Sequence, residues 1–244
     1  MIRRLALPLL AAALVAGCAT PATDPTAANA RYERVLESPL RTEQDRKMDA
    51  SRHPAELLAF AQVQSGWRAL DVAAGGGYTA QLIALAVGPN GTLWAQAARP
   101  NANLAKRLEE HPQANFIVVT RPFDDPVPPE ATNLDLVTLV LNYHDITYLP
   151  VDRARMNQRI FAALKPGGRY VIVDHAGRAG TGVTEGQTLH RIDEDVVRRE
   201  VLAAGFVLDG EGSFLRNPAD PRTGSTNNPP VPTDKFALRF VKPR

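Results

Sequence analysis

The chain has 244 residues, room for one large α/β domain with additional segments and little more. Its 44% hydrophobic and 22% charged residues exclude a wholly disordered, collagen-like or multi-spanning membrane chain. Lys plus Arg number 28 and Asp plus Glu 26, a net +2 without the electrostatic footprint of a nucleic-acid binder, and a single cysteine excludes an intramolecular disulfide or a cysteine-based zinc site as support for the fold.

Residues 1–17 open with a basic head, Arg3-Arg4, followed by an apolar run from Leu5 to Gly17. That run is too short to span a bilayer, which takes about 20 residues, and has the pattern of an export signal. It ends in Val15-Ala16-Gly17-Cys18, which resembles the lipobox of bacterial lipoproteins. The resemblance implies cleavage before Cys18, acylation of that cysteine, and, with Ala19 following, sorting to the outer membrane on its periplasmic face. Acyl chains contribute about 0.8 kcal/mol per buried methylene, so several of them make a stable membrane anchor. Arg3 and Arg4 account for the whole charge excess, so the chain from Cys18 onward is formally balanced. Residues 18–30, rich in Ala, Thr and Pro, read as a flexible tether, and residues 31–53, dense in charge, as a helical extension with solvated faces.

Residues 54–244 alternate strands and helices. Leu57, Leu58 and Ala61 mark a short helix, and Trp67 to Ala73 a first buried strand. After Gly75-Gly76-Gly77, residues Tyr78 to Val87 carry a wide apolar helical face, and Pro89-Asn90-Gly91 turns the chain into a second strand, Thr92 to Ala95. Asn103 to His111 is helical; Asn115 to Thr120 and the near-continuous apolar run Leu134 to Leu141 are strands three and four. Asp152 to Leu164 is an amphipathic helix with Met156, Ile160 and Leu164 on one face, stopped by Pro166-Gly167-Gly168 before strand five, Tyr170 to Asp174. Asp193 caps a further helix that ends at Gly205, and Phe206 to Leu208 and Phe236 to Val241 are the last strands. This alternation predicts a doubly wound, Rossmann-like α/β sheet whose ligands bind beyond the carboxyl ends of the strands.

Leu70-Asp71-Val72-Ala73-Ala74-Gly75-Gly76-Gly77-Tyr78 resembles the first motif of class I S-adenosylmethionine-dependent methyltransferases, in which an acidic residue on strand one precedes a glycine loop. Such a loop lets backbone approach the cofactor without Cβ atoms in the way. The likeness covers about residues 54–242. Through Asn142-Tyr143-His144-Asp145, His190-Arg191-Ile192-Asp193 and Leu215-Arg216-Asn217-Pro218 it extends to a group of exported, predicted methyltransferases. It implies a seven-stranded sheet of order 3-2-1-4-5-7-6 with the last strand antiparallel and S-adenosylmethionine as cofactor; a small-molecule acceptor is expected, and the charge balance gives no reason to expect a nucleic-acid partner. Carried over residue by residue, Asp71, Gly75 and Gly77 fall on cofactor-loop positions, and Ala73 stands where the pattern has its first glycine. Gln96 stands where the family has the acidic residue that accepts the ribose hydroxyls, and an amide offers one acceptor oxygen and two donors instead. Asp124 or Asp125, after strand three, lies where family members contact adenine, although two acids between Pro122 and Pro126 also suit a solvated turn.

Asn142, Tyr143, His144 and Asp145 follow strand four, where the resemblance puts residues facing the methyl acceptor. His144 is the candidate general base, its unperturbed pKa near 6.5 suiting proton removal from an oxygen or nitrogen nucleophile. Asp174 and His175 end strand five and alternate, so one of the two faces that site. A metal cluster built from His144, Asp145, Asp174 and His175 has no tight ligand spacing, and no metal is expected. The long segment Asn217 to Thr233 suits either a lid or a mobile hairpin tip, with Arg216 and Arg222 able to clamp an anion or simply to solubilise it.

Overall fold

A computed structural model describes residues 25–244. The export signal, Cys18 and the first part of the expected tether lie outside the described residues. Helix α1, Pro25–Leu36, begins inside the stretch read as tether, because Tyr32 and Val35 find apolar partners in the domain core. Helix α2, Glu43–Arg52, opens on a capping box in which the Thr42 hydroxyl accepts from the Asp45 N–H and the Asp45 carboxylate accepts from the Thr42 N–H. Helix α3 is Pro54–Ala61, with Pro54 in the first turn where its missing N–H costs nothing.

The sheet follows: β1 Arg68–Val72, helix α4 Tyr78–Val87, β2 Thr92–Ala97, helix α5 Ala102–Glu110, β3 Phe116–Thr120 and β4 Leu134–Val140. Then come α6 Tyr143–Ile146, α7 Arg153–Ala163, β5 Leu164–His175, α8 Gly186–Leu189, α9 Glu194–Ala203, β6 Val207–Gly212 and β7 Lys235–Val241. The strand order is β3-β2-β1-β4-β5-β7-β6, with β7 antiparallel to both of its neighbours and the other pairings parallel, the arrangement expected from the sequence. Strand five is longer than expected. It starts directly at the end of α7 and carries Pro166-Gly167-Gly168 at its outer end, where the pairing with β4 shifts register. The one-turn helices α6 and α8 had no periodic signal, being too short to show one.

Alternation along the strands divides the core in two. Leu136, Val171, Val173 and Ala237 face α1, α3 and α4, whereas Val137, Leu139, Tyr170, Ile172 and Phe236 face α6, α7 and α9. Burial on both faces explains why β4 reads as a near-continuous apolar run. The sheet therefore presents its loops 73–77, 141–146 and 175–190 along one edge, with strand order reversing between β1 and β4. Among the described residues no helix is long and apolar enough to cross a membrane.

Candidate functional site

A cavity of about 750 Å³ lies above the turn after β1, within the range of small-molecule sites. Its floor is Asp71, Ala73, Ala74, Gly75 and Gly76, one wall is Val140, Leu141 and Asn142, and the other is Asn103, Lys106, Arg107 and Glu110 of α5. The roof is α2, through Asp45, Met48 and Arg52. The charged extension read as a solvated face is thus the cover of the cavity. Asp45 and Arg107, both buried, pair at 2.7 and 2.8 Å across it, and the Arg107 Nε donates to the Gly76 carbonyl at 2.8 Å. The Tyr78 hydroxyl donates to Asp49 at 2.8 Å and fixes the far end of α2.

Four of the residues singled out in the glycine motif behave differently. Asp71 is buried beneath the cavity and accepts from the Thr138 hydroxyl at 2.6 Å; burial pushes its pKa up to about 7, against the smaller opposing effects of Thr138, the Ala80 N–H and Arg52. Ala73 adopts φ 57, the left-handed region, which is why a glycine is the usual occupant of this position. Gly75 borders the cavity, but Gly77 does not. Gly77 caps α4 at φ 86, and a Cβ there would stand 2.7 Å from Leu104, so its role is the close packing of α5.

Two cofactor candidates lie off the cavity altogether. Gln96 is fully buried with its Oε1 accepting from the Ala73 N–H at 2.9 Å and its Nε2 donating to the Arg121 carbonyl at 2.6 Å, so neither end is available to a ribose. An uncharged amide suits that place because it bridges a backbone donor and a backbone acceptor. Asp124 pairs with Arg155 at 3.6 Å and Asp125 with Arg121 and Arg159, so these acids brace the loop after β3 against its neighbours.

On the acceptor side only Asn142 borders the cavity, its Nδ2 donating to the Ala73 and Val140 carbonyls at 3.3 and 3.0 Å. Tyr143 points the other way, into the core, where its hydroxyl donates to Glu200 at 2.6 Å and accepts from Asn157 at 2.9 Å. It is a core residue, not a catalytic one. His144 is buried between two carboxylates, Nδ1 at 2.6 Å from Asp174 and Nε2 at 3.2 Å from Asp145. Burial opposes its charge, but the two carboxylates outweigh burial and raise its pKa to about 10, which leaves no base at neutral pH. Burial likewise opposes the charge on Asp145, yet His144, Tyr148 and His190 together hold its pKa down to about 2. Of the two residues ending β5, Asp174 faces His144, and His175 turns to Thr233 at 2.9 Å with its pKa drawn down to about 2 by burial and then by Lys235.

Arg52 carries no motif and was invisible in the sequence. Its guanidinium borders the cavity, lies 5.2 Å from the centre of the Tyr78 ring, and has no carboxylate partner among the described residues. A narrow recess behind it shares Arg52, Tyr78, Thr79, Val140 and Leu141 with the main cavity and is closed by Val173, Leu215 and the buried Lys235. Burial lowers the pKa of Lys235, and the nearby charge of Arg52 lowers it further. Segment 217–233 is pinned rather than poised. Arg191, fully buried, pairs with Asp220 at 2.9 Å and donates to the Gly224 carbonyl at 2.8 Å, while Arg222 pairs with Asp234 and Arg216 with Glu194. Neither of those last two arginines borders the cavity.

No family model matches the sequence, and no curated protein matches it. Solved structures do match in fold. A SAM-dependent methyltransferase from Aquifex aeolicus superposes with a TM-score of 0.59 at 15% identity, over 90% of this chain and 99% of its own. A TehB-like SAM-dependent methyltransferase from Corynebacterium glutamicum gives 0.55 at 15% identity, over 87% and 98%. The [4+2]-cyclase SpnF gives 0.59 at 16% identity, over 80% and 81%. The chain has the class I methyltransferase fold.

Proposed function

We propose that this chain is an S-adenosylmethionine-dependent methyltransferase acting on a small molecule and held at a membrane through Cys18. The observation that carries the reading is the cavity itself, placed over Asp71, Ala73 and Gly75 at the reversal of strand order, where α/β sheets bind their ligands. Supporting it, solved structures of this fold include SAM-dependent methyltransferases. The residues present fit the cofactor's methionyl part: exposed loop backbone at Gly75, the Asn142 side chain, and in Arg52 an unpaired cation for a carboxylate. When bound, S-adenosylmethionine supplies a methyl group on a sulfonium, already activated for in-line displacement. The chain's own contribution is then chiefly positioning: α2 excludes water from above, and Asn142 orients what lies against Ala73. Because His144 is charged and off the cavity, an acceptor that needs no strong base fits better than an alcohol.

Calorimetric titration of the protein with S-adenosylmethionine and S-adenosylhomocysteine tests this: binding to wild type, abolished by Gly75→Asp, is expected. Absence of binding by either ligand at millimolar concentration overturns the reading. A second reading, a non-catalytic ligand-binding protein on the same fold, is favoured by one observation, the engagement of both ends of Gln96 by backbone. It predicts ligand binding without methyl release.

The anchor is a separate part of the proposal and rests on Val15-Ala16-Gly17-Cys18. The mature protein would sit on the periplasmic face of the outer membrane, given Ala19. Cys18→Ser should release the protein from membranes or leave it unprocessed, and membrane retention of a correctly cut variant refutes the anchor.

A further inference from the structure

Three of the chain's five histidines converge at the carboxyl ends of β4 and β5, the His144 ring centre lying 5.9 Å from that of His175 and 5.5 Å from that of His190. His144 and His175 end neighbouring strands, whereas His190 joins them from far along the chain. It arrives because α8 presses on α6 so closely that a Cβ on Gly186 would stand 2.5 Å from the Thr147 hydroxyl. His190 then ends α8 in the left-handed region, at φ 53 and ψ 48, a strained conformation for a residue with a Cβ, and its ring meets Asp145.

From this geometry we infer that His144, Asp145 and His190 are the protein ligands of a divalent transition-metal site, with zinc the ion their chemistry suits best. One ligand atom from each residue lies within 4.8 Å of the others. The Asp145 Oδ1 is 3.2 Å from the His144 Nε2 and 3.0 Å from the His190 Nδ1. Donor atoms bound tetrahedrally to zinc at 2.0–2.1 Å stand about 3.3 Å apart, so small rotations of the side chains would seat an ion among them. Two imidazoles and one carboxylate select zinc and its neighbours over magnesium or calcium, which take oxygen ligands.

The surroundings are those of a ligand set held in advance. Asp174 is fully buried, accepts the His144 and His175 backbone N–H groups at 2.8 Å each, and binds the His144 Nδ1 at 2.6 Å. A carboxylate on the far nitrogen of a histidine fixes the tautomer whose other nitrogen faces the metal. The Tyr148 hydroxyl donates to Asp145 at 2.9 Å and orients it. The His144 side chain is 4% exposed, but Asp145 is 34% and His190 30% exposed, so the ion would be reached from one side and keep a position open to water or to an oxygen of a ligand. The site does not border the cavity and does not depend on the methyltransferase reading.

The full-length protein, stripped with a chelator, should bind one equivalent of Zn²⁺ by calorimetry, and Co²⁺ in its place should give the visible absorption of a four- or five-coordinate ion. His190→Ala, a half-exposed position whose loss leaves the core intact, should weaken Zn²⁺ binding at least about 100-fold and remove the Co²⁺ band, with an unchanged circular dichroism spectrum. Asp174→Asn should cost about 10–100-fold as an outer partner, and His53→Ala, remote and exposed, should cost nothing. Zn²⁺ binding weaker than millimolar, or equal in wild type and His190→Ala, overturns the site.

Discussion

The glycine-loop cavity and the His144 cluster lie on the same edge of the sheet and are built in opposite ways. The cavity is made largely of backbone and of side chains left uncommitted: Gly75 is open, and Arg52 has no ion-pair partner among the described residues. The cluster is made of side chains that satisfy one another, with Asp174 accepting three hydrogen bonds and His144 held on both nitrogens. Uncommitted polarity waits for a ligand, whereas committed polarity holds the fold together unless an ion replaces a proton within it. Mutations should therefore cost stability in the cluster and affinity in the cavity.

The largest expected effect is at Asp174. Asp174→Ala strands two backbone donors and a buried imidazole and should destabilise the protein by about 3–5 kcal/mol in urea denaturation; a loss below 1 kcal/mol would erase the contrast. Arg107→Met leaves Asp45 buried without its partner, and a loss of about 3 kcal/mol is expected, with ligand affinity falling as α2 loosens. Asp71 supplies a pH signature. Its folded pKa of about 7 stands above the ordinary 3.8, so its contribution to stability is fully present below about pH 3.8 and is lost as pH rises to about 7. Urea midpoints of wild type should fall relative to those of Asp71→Asn by the equivalent of roughly 2–4 kcal/mol across that window, and parallel profiles would show that the carboxyl is not desolvated. Arg52→Met should leave stability within about 1 kcal/mol and weaken S-adenosylmethionine about tenfold, by calorimetry; the reverse pattern would mean that Arg52 is committed after all. The smallest effect is at Ala73→Gly. Relief of left-handed strain, offset by the freer unfolded chain, should give a gain of no more than about 1 kcal/mol, detectable as a shift in melting temperature.

The glycine motif was legible because its residues are contiguous, and Asp71, Ala73 and Gly75 do border the cavity. Gly77, Gln96 and Asp124 match the same pattern but lie off the cavity: Gly77 leaves room for α5, the Gln96 amide is engaged by backbone, and Asp124 pairs with Arg155. Asn142 borders the cavity and Tyr143 does not, because a one-turn helix begins between them and sends the tyrosine ring to the opposite face of the sheet. The roof of the cavity was missed even though Thr42 and Asp45 stand at the spacing of a capping box, for a cap announces a helix but not what that helix covers.

By itself the sequence determined the order of the strands and of the longer helices between them, the double burial of β4 and the turn that follows β1, because these depend on periodicity and on residues adjacent along the chain. Only the tertiary structure decided which charges meet. Asp45 reaches Arg107, Asp174 reaches His144 and His190 reaches Asp145 through packing between elements far apart in sequence, and a carboxylate's partner sets whether it braces the fold or waits for a ligand.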